Sequence, residues 1–230
     1  MHDRVLLITG ATSGIGAATA RSAARQGYKL VLAARSADNL KAIAQELGPE
    51  NVLTVNVDVA DIDAQKAMVE QALERFGRLD AVFANAGRGG SPGGFSEADP
   101  EAWKQMLLTN VYGLGLTIQV TLAALRRSRG HILLTGSAAG RATIPGSMYG
   151  ATKWAVTGIG YNLREELRGS GIRVTLIEPG VVNTPFFDEP PDVALEDKDI
   201  ASAVVYALSQ PPHVDVNEIL IRPTPPRDDE

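Results

Sequence analysis

The chain has no cysteine, and its three histidines, His2, His131 and His213, lie far apart. Disulfides, thiolate metal sites and cysteine nucleophiles are excluded, and the histidine spacing fits no metal-ligand pattern. Positive charge is also in short supply: 22 Lys and Arg face 27 Asp and Glu, for a net charge of -5. A nucleic-acid face normally needs clustered Lys and Arg, so this balance argues against one. The one basic cluster, "RRSRGH" at 126–131, reads as a helix end, where cations complement the dipole. Long hydrophobic runs are missing too. "MHDRVLLITG" holds four apolar residues before Thr9 and Gly10, too few for a signal peptide, and no stretch approaches the roughly 18 apolar residues of a membrane span. A cytoplasmic protein with neither nucleic-acid nor membrane partners is expected.

What is present is an ordinary soluble composition, 44% hydrophobic and 21% charged over 230 residues, enough to bury a full core as one domain spanning 1–230. Short β-branched runs alternate with longer Ala, Leu, Glu and Arg stretches of helical period. Candidate strands cover 4–9, 29–34, 51–57, 79–84, 130–135, 172–178 and 217–223; candidate helices cover 15–26, 38–47, 61–76, 100–127, 148–168 and 198–209. Strands apolar on both faces and separated by helices imply a parallel sheet covered on both sides, with right-handed crossovers. The fold class is therefore α/β: a Rossmann-type, doubly wound, seven-stranded parallel sheet flanked by helices on both faces.

"TGATSGIG" follows the first strand directly, with Gly10, Gly14 and Gly16 opening a helix. Glycines there let backbone approach a pyrophosphate, and the helix N-terminus supplies oriented N–H groups for its charge. A P-loop is excluded, because Ala17 and Ala18 stand where Lys and Ser or Thr are required. The second strand ends in "VLAARS". Enzymes that prefer NAD place an acid there for the ribose 2'-hydroxyl. Here Ala34 holds that place, Arg35 offers a planar multi-donor cation suited to a 2'-phosphate and Ser36 a hydroxyl, which favours NADP(H).

"YGATK" adds a second signal: on a helix, Tyr149 and Lys153 share one face. A Tyr followed four places later by Lys arises readily by chance, so the pair needs company. It has company in a fixed order: "TGATSGIG", "NVDVAD" with Asp58, "ANAG" at 84–87, "TNVYG" with Asn110, "TGSAAG" with Ser137, "YGATK" and "EPGVVNT" at 178–184. The set, spread over nearly the whole chain, resembles the short-chain dehydrogenase/reductase family. The tail "PPHVDVNEILIRPT" resembles the branch that includes NADP-dependent 3-hydroxy acid and serine-type dehydrogenases.

That resemblance implies hydride transfer between nicotinamide C4 and a carbonyl or secondary alcohol. Tyr149 would be the general acid/base, Ser137 a hydrogen-bond donor to the same oxygen, and Lys153 a cation that lowers the pKa of Tyr149 and bonds the cofactor ribose. Asn110 would expose a backbone carbonyl holding a water beside Lys153. The cofactor would lie along Gly10, Thr12, Ser13, Gly14, Ile15, Gly16, Arg35, Ser36, Asp58, Val59, Asn85, Ala86, Gly87, Tyr149, Lys153, Pro179, Gly180, Val182 and Thr184. Asp58 would bond the adenine amino group. The family's small-molecule partner would be chosen by loops 87–100, 138–148 and 184–199. There Phe186 and Phe187 suggest an apolar entrance, and Arg88 and Arg141 are either carboxylate binders or plain solvated arginines. Apolar residues on more than one face of the helices at 100–127 and 148–168 imply a homodimer or homotetramer. A non-catalytic NADP(H)-binding sensor or scaffold is the alternative, since a fold does not establish a function. A nucleotide-sugar epimerase with the same Tyr and Lys would need a substrate domain that the residues after Thr184 do not supply.

Overall fold

Strands and helices alternate in a computed structural model that describes residues 4–90, 92–187, 189 and 192–225. Chain order runs β1 (Val5–Thr9), α1 (Gly14–Arg25), β2 (Lys29–Ala34), α2 (Ala37–Leu47), β3 (Val52–Asn56), α3 (Ile62–Phe76), β4 (Ala81–Ala84), α4 (Gly94–Glu97), α5 (Pro100–Leu107), α6 (Leu114–Ser128), β5 (His131–Thr135), α7 (Met148–Glu166), β6 (Arg173–Pro179), β7 (Val182–Asn183), β8 (Leu195–Glu196), α8 (Asp197–Ser209) and β9 (Glu218–Ile221). All seven expected strands form one parallel sheet in the order β3-β2-β1-β4-β5-β6-β9. The direction of winding reverses between β1 and β4, which opens a crevice at their carboxyl ends, the place where such sheets bind ligands.

Every residue of β1 is buried, and its side chains alternate between two cores. Val5 and Leu7 pack with Met68 and Ala72 of α3, Leu125 of α6 and Val156 of α7. Leu6 and Ile8 pack with Ala17 and Ala20 of α1, Leu40 of α2 and Val204 of α8. Burial on both faces is why the strands read as unbroken apolar runs. Each fully buried Leu, Ile or Phe contributes about 1.5–3 kcal/mol relative to exposure. Helix starts are set by side-chain caps: Ser36 for α2, Asp61 for α3, Asp99 followed by Pro100 for α5.

The expected single helix over 100–127 is the clearest departure. Between α5 and α6, residues Leu108–Gly113 form a π-turn. A side chain at Gly113 would place Cβ only 2.7 Å from Val59 Cγ2, so glycine lets the widened turn press against the loop after β3. Pro100–Ser128 is also long and apolar enough to cross a membrane by length and composition, contrary to the expectation that no such stretch exists. Its Leu114, Ile118 and Leu125 instead pack into the core beneath the sheet. The 184–199 loop differs as well, since β7 and β8 pair at its base. Ser91, Asp188, Pro190 and Pro191 of the expected substrate loops lie outside the described residues.

His131 opens β5 in full burial. Thr175 Oγ1 donates its hydrogen to Val216 O at 2.5 Å, so the 2.7 Å contact with His131 Nε2 requires Nε2–H to donate. Burial, reinforced by the charge of Arg173, pushes this imidazole down to about 3 from 6.5. The unfolded chain binds the proton first, so the stability is present above about pH 6.5 and is lost as pH falls toward the folded value, by about 1.4 kcal/mol per unit. His131→Gln keeps a donor for Thr175 without a titrating proton. Its urea midpoint should fall less steeply than that of the wild type between pH 6.5 and 4.5, and parallel slopes would show that His131 does not titrate in this way.

Candidate active site

The first turn is built by close backbone approach. Gly10 lies at φ 64, where a Cβ would stand 2.9 Å from Ala86 Cα, and a Cβ at Gly16 would stand 2.1 Å from Gly10 O. Neither position admits a side chain, so strand, turn and helix pack main chain to main chain. Ser13 is the extended N-cap of α1, yet its side chain makes no capping bond, and the first helical turn holds no acid. The helix N-terminus therefore offers N–H groups and positive dipole to an anion. Asn85 locks the turn in place. Its Nδ2 donates to Thr9 O at 3.2 Å and Gly10 O at 3.3 Å, and its Oδ1 accepts from Thr135 Oγ1 at 3.1 Å.

From this turn a cleft of about 840 Å³ runs across the carboxyl ends of the strands. It is lined by every residue expected in the catalytic and cofactor sets except Gly16 and Asn110, and Arg88 joins them while Arg141 does not. Gly16 stands behind the turn for the steric reason just given. At one end lie Arg35, Ser36, Asp58 and Val59. Arg35 is exposed, its carbonyl is held by Asn56 Nδ2 at 2.8 Å, and its guanidinium has no partner among the described residues. Ser36 Oγ already accepts from Asn39 N at 3.3 Å as the cap of α2, leaving its hydrogen to donate. Asp58 Oδ1 accepts from Ala60 N at 2.9 Å. An unpaired cation at the rim, an uncapped helix start and a floor without Cβ atoms fit a dinucleotide with its pyrophosphate at α1.

At the other end are Ser137, Tyr149 and Lys153. Ser137 precedes a 3-10 turn, Ala138–Gly140, and its Oγ caps that turn by accepting from Ala139 N at 3.1 Å. Lys153, one turn after Tyr149 on α7, is buried; its Nζ donates to Thr135 O at 2.8 Å and stands 5.7 Å from the centre of the Tyr149 ring. Burial pushes this ammonium down to about 8. Burial also raises the pKa of Tyr149, opposed by the neighbouring Ser137 hydroxyl. In the protein by itself desolvation sets the direction for the phenol, while the Lys153 ammonium, expected to lower it, donates to the Thr135 carbonyl. Asn110 is buried in the π-turn. Its Oδ1 accepts from Arg88 N at 2.8 Å, and its Nδ2 donates to Arg88 O at 3.0 Å and Thr152 Oγ1 at 3.1 Å. The side chain thus clamps the loop after β4 to α7 and does not enter the cleft.

A family model described as short chain dehydrogenase matches residues 4–192. The chain belongs to that family, and it is an oxidoreductase. An uncharacterized oxidoreductase of Staphylococcus saprophyticus is 38% identical over 231 residues, covering 97% of this chain and 98% of the relative. Among solved structures, an alcohol dehydrogenase from the archaeon Thermococcus sibiricus, complexed with 5-hydroxy-NADP, is 35% identical with a TM-score of 0.88, covering 95% of each chain. A serine dehydrogenase complexed with NADP+ is 31% identical, TM-score 0.88, covering 94% of each chain. A 3-ketoacyl-(acyl-carrier-protein) reductase from Brucella melitensis complexed with NADH is 28% identical, TM-score 0.89, with coverage of 95% and 96%.

Within this short-chain dehydrogenase, Arg141 is not free to bind a substrate carboxylate. Its Nε donates to Glu178 Oε1 at 2.7 Å, its Nη2 pairs with Glu218 Oε2 at 2.6 Å, and its Nη1 donates to the Tyr161 hydroxyl. The guanidinium is consumed by a carboxylate buried at the end of β6, a partner that lies 37 residues away in sequence and carries no local signal. Arg88 lines the cleft, with its backbone held by Asn110. Phe186 packs against the Tyr149 ring at 5.6 Å between centroids and against Phe187 at 5.3 Å. Sequence reasoning missed Thr9 and Thr135, which hold Asn85 and Lys153; their position at strand ends was the available signal.

Proposed function

We propose that this chain is an NADP(H)-dependent oxidoreductase that interconverts a carbonyl compound and a secondary alcohol, with Tyr149 as general acid/base. The observation that carries the reading is that Ser137, the Tyr149 phenol and Lys153, one turn further along α7, line the same cleft as the uncapped start of α1. Gly10, Thr12, Ser13, Gly14 and Ile15 would hold the pyrophosphate, Arg35 and Ser36 a 2'-phosphate, and Asp58 and Val59 the adenine. Asn85, Ala86, Gly87, Pro179, Gly180, Val182 and Thr184 would hold the nicotinamide half. When bound, the nicotinamide supplies or accepts a hydride.

The protein's own contribution is proton transfer and orientation. With its pKa raised, Tyr149 stays protonated at neutral pH and can give its proton to the oxygen of a carbonyl that is being reduced. Ser137 would hydrogen-bond that oxygen and fix its direction. Alcohol oxidation needs the phenolate instead and gains as pH rises. Ile144, Phe186 and Phe187 give the substrate end an apolar wall suited to a carbonyl compound with an apolar body. Among the structural relatives is a serine dehydrogenase complexed with NADP+, which supports the cofactor reading.

Tyr149→Phe should keep the NADPH dissociation constant within a few-fold while lowering turnover on a panel of ketones and 3-oxo acids by at least about a hundredfold. Near-normal turnover in that variant would remove the assignment, and wild-type protein that binds NADPH but turns over nothing on the panel would favour a sensor or scaffold. Arg35→Ala should weaken NADPH binding by about ten- to a hundredfold and leave NADH almost unchanged; equal weakening of both would refute the preference. Exposed Leu107, Tyr112 and Trp154 on the α5–α6 and α7 surfaces favour a homodimer or homotetramer. Light scattering at micromolar concentration should read a multiple of 24.4 kDa, and a single-chain mass would exclude it.

A further inference from the structure

Gln65 is a polar residue on α3 with no exposed surface. Its Nε2 donates to Val59 O at 2.6 Å and to Gly113 O at 3.1 Å, and its Oε1 lies 2.9 Å from Thr117 Oγ1. A side-chain amide has two hydrogens to give, and here both go to main-chain carbonyls of separate segments. Val59 belongs to the loop after β3 that lines the cleft, and Gly113 closes the π-turn that carries Asn110. Gly113 and Val59 are also in direct contact, with the Val59 carbonyl 3.0 Å from where a Cβ of residue 113 would sit.

We infer that Gln65 is a positioning residue that sets the spacing between the nucleoside end of the cleft and the Asn110 turn. The inference rests on the functional reading above. Asn110 holds Arg88 N and O together with Thr152 on α7, three residues from Tyr149. A shift of the π-turn therefore reaches both the loop after β4 and the helix that presents the phenol. The Gly113 carbonyl also accepts from Thr117 Oγ1 at 2.9 Å, whereas Gln65 Nε2 is the side-chain donor to the Val59 carbonyl, and an unpaired carbonyl in a dry interior is costly. Among the described residues, the Gln65 amide is the side chain bonded to both carbonyls, so its loss leaves the two segments joined by packing alone.

Gln65→Met removes both donors at nearly constant volume, and Thr117→Val removes the hydroxyl that meets the Gln65 carbonyl and the Gly113 carbonyl while leaving the Gln65 amide in place. Well below each variant's melting temperature, Gln65→Met should raise the NADPH dissociation constant, read by nucleotide fluorescence, about three- to tenfold and lower kcat about tenfold, since small misplacements are amplified in turnover. Thr117→Val should do both more weakly, and it serves as the test if Gln65→Met does not fold. In a double-mutant cycle on kcat, Gln65→Met should add little to Asn110→Ala, because it acts through that residue. A lowered melting temperature with unchanged affinity and kcat, or a fully additive cycle, would overturn the inference. Wild type that binds neither nicotinamide dinucleotide would instead overturn the functional reading, and this inference with it.

Discussion

A short series of hydrogen bonds at the carboxyl ends of three neighbouring strands organises the rest of the site. Thr9 at the end of β1 accepts both Asn85 N and Ala86 N on its hydroxyl, Asn85 ties back to Thr9 O and Gly10 O, and Thr135 at the end of β5 donates to Asn85. The carbonyl of the same Thr135 receives Lys153. One clasp thus fixes the phosphate turn, the loop after β4 and the buried lysine relative to each other. Strand ends cannot satisfy these groups through the sheet ladder, so side chains must do it, and the polar atoms that complete the ladder also set the geometry of the cleft.

Buried charge sets the second constraint. Glu178, at the end of β6, is 1% exposed, and a carboxylate so far from water persists only with a partner. Arg141 reaches it from the turn that follows Ser137 and also engages Glu218 on β9 and Tyr161 on α7. A residue that looked free to bind substrate is therefore committed to stitching the Ser137 turn onto the sheet. The same burial that fixes this pair works on the neighbouring site groups: it favours a protonated Tyr149 and weakens the hold of Lys153 on its proton.

Much of the fold was legible because its signals are local and repeated. Strands such as Val5–Thr9 are apolar on both faces, helices begin at Ser36, Asp61 and Asp99, and a strand leading into "TGATSGIG" leaves the next segment little choice but a helix with an open N-terminus. The π-turn at Leu108–Gly113 was not legible, because nothing in "LTNVYG" marks a widened turn, and its Gly113 packs against Val59 of a loop distant in sequence. The contact of Phe186 with Tyr149 and the role of Gln65 are of the same kind.

The sequence by itself determined the α/β alternation, the family, and which residue types stand at the ends of which strands, because periodicity, turn glycines and short motifs are properties of neighbouring residues. Tertiary structure decided what those residues face. Arg141 turned toward Glu178, Asn110 toward Arg88 and Thr152, and Lys153 toward Thr135, while Tyr149 took its proton affinity from burial. The physical reason is that hydrogen-bond partners and desolvation depend on segments far apart in the chain, which no local pattern encodes.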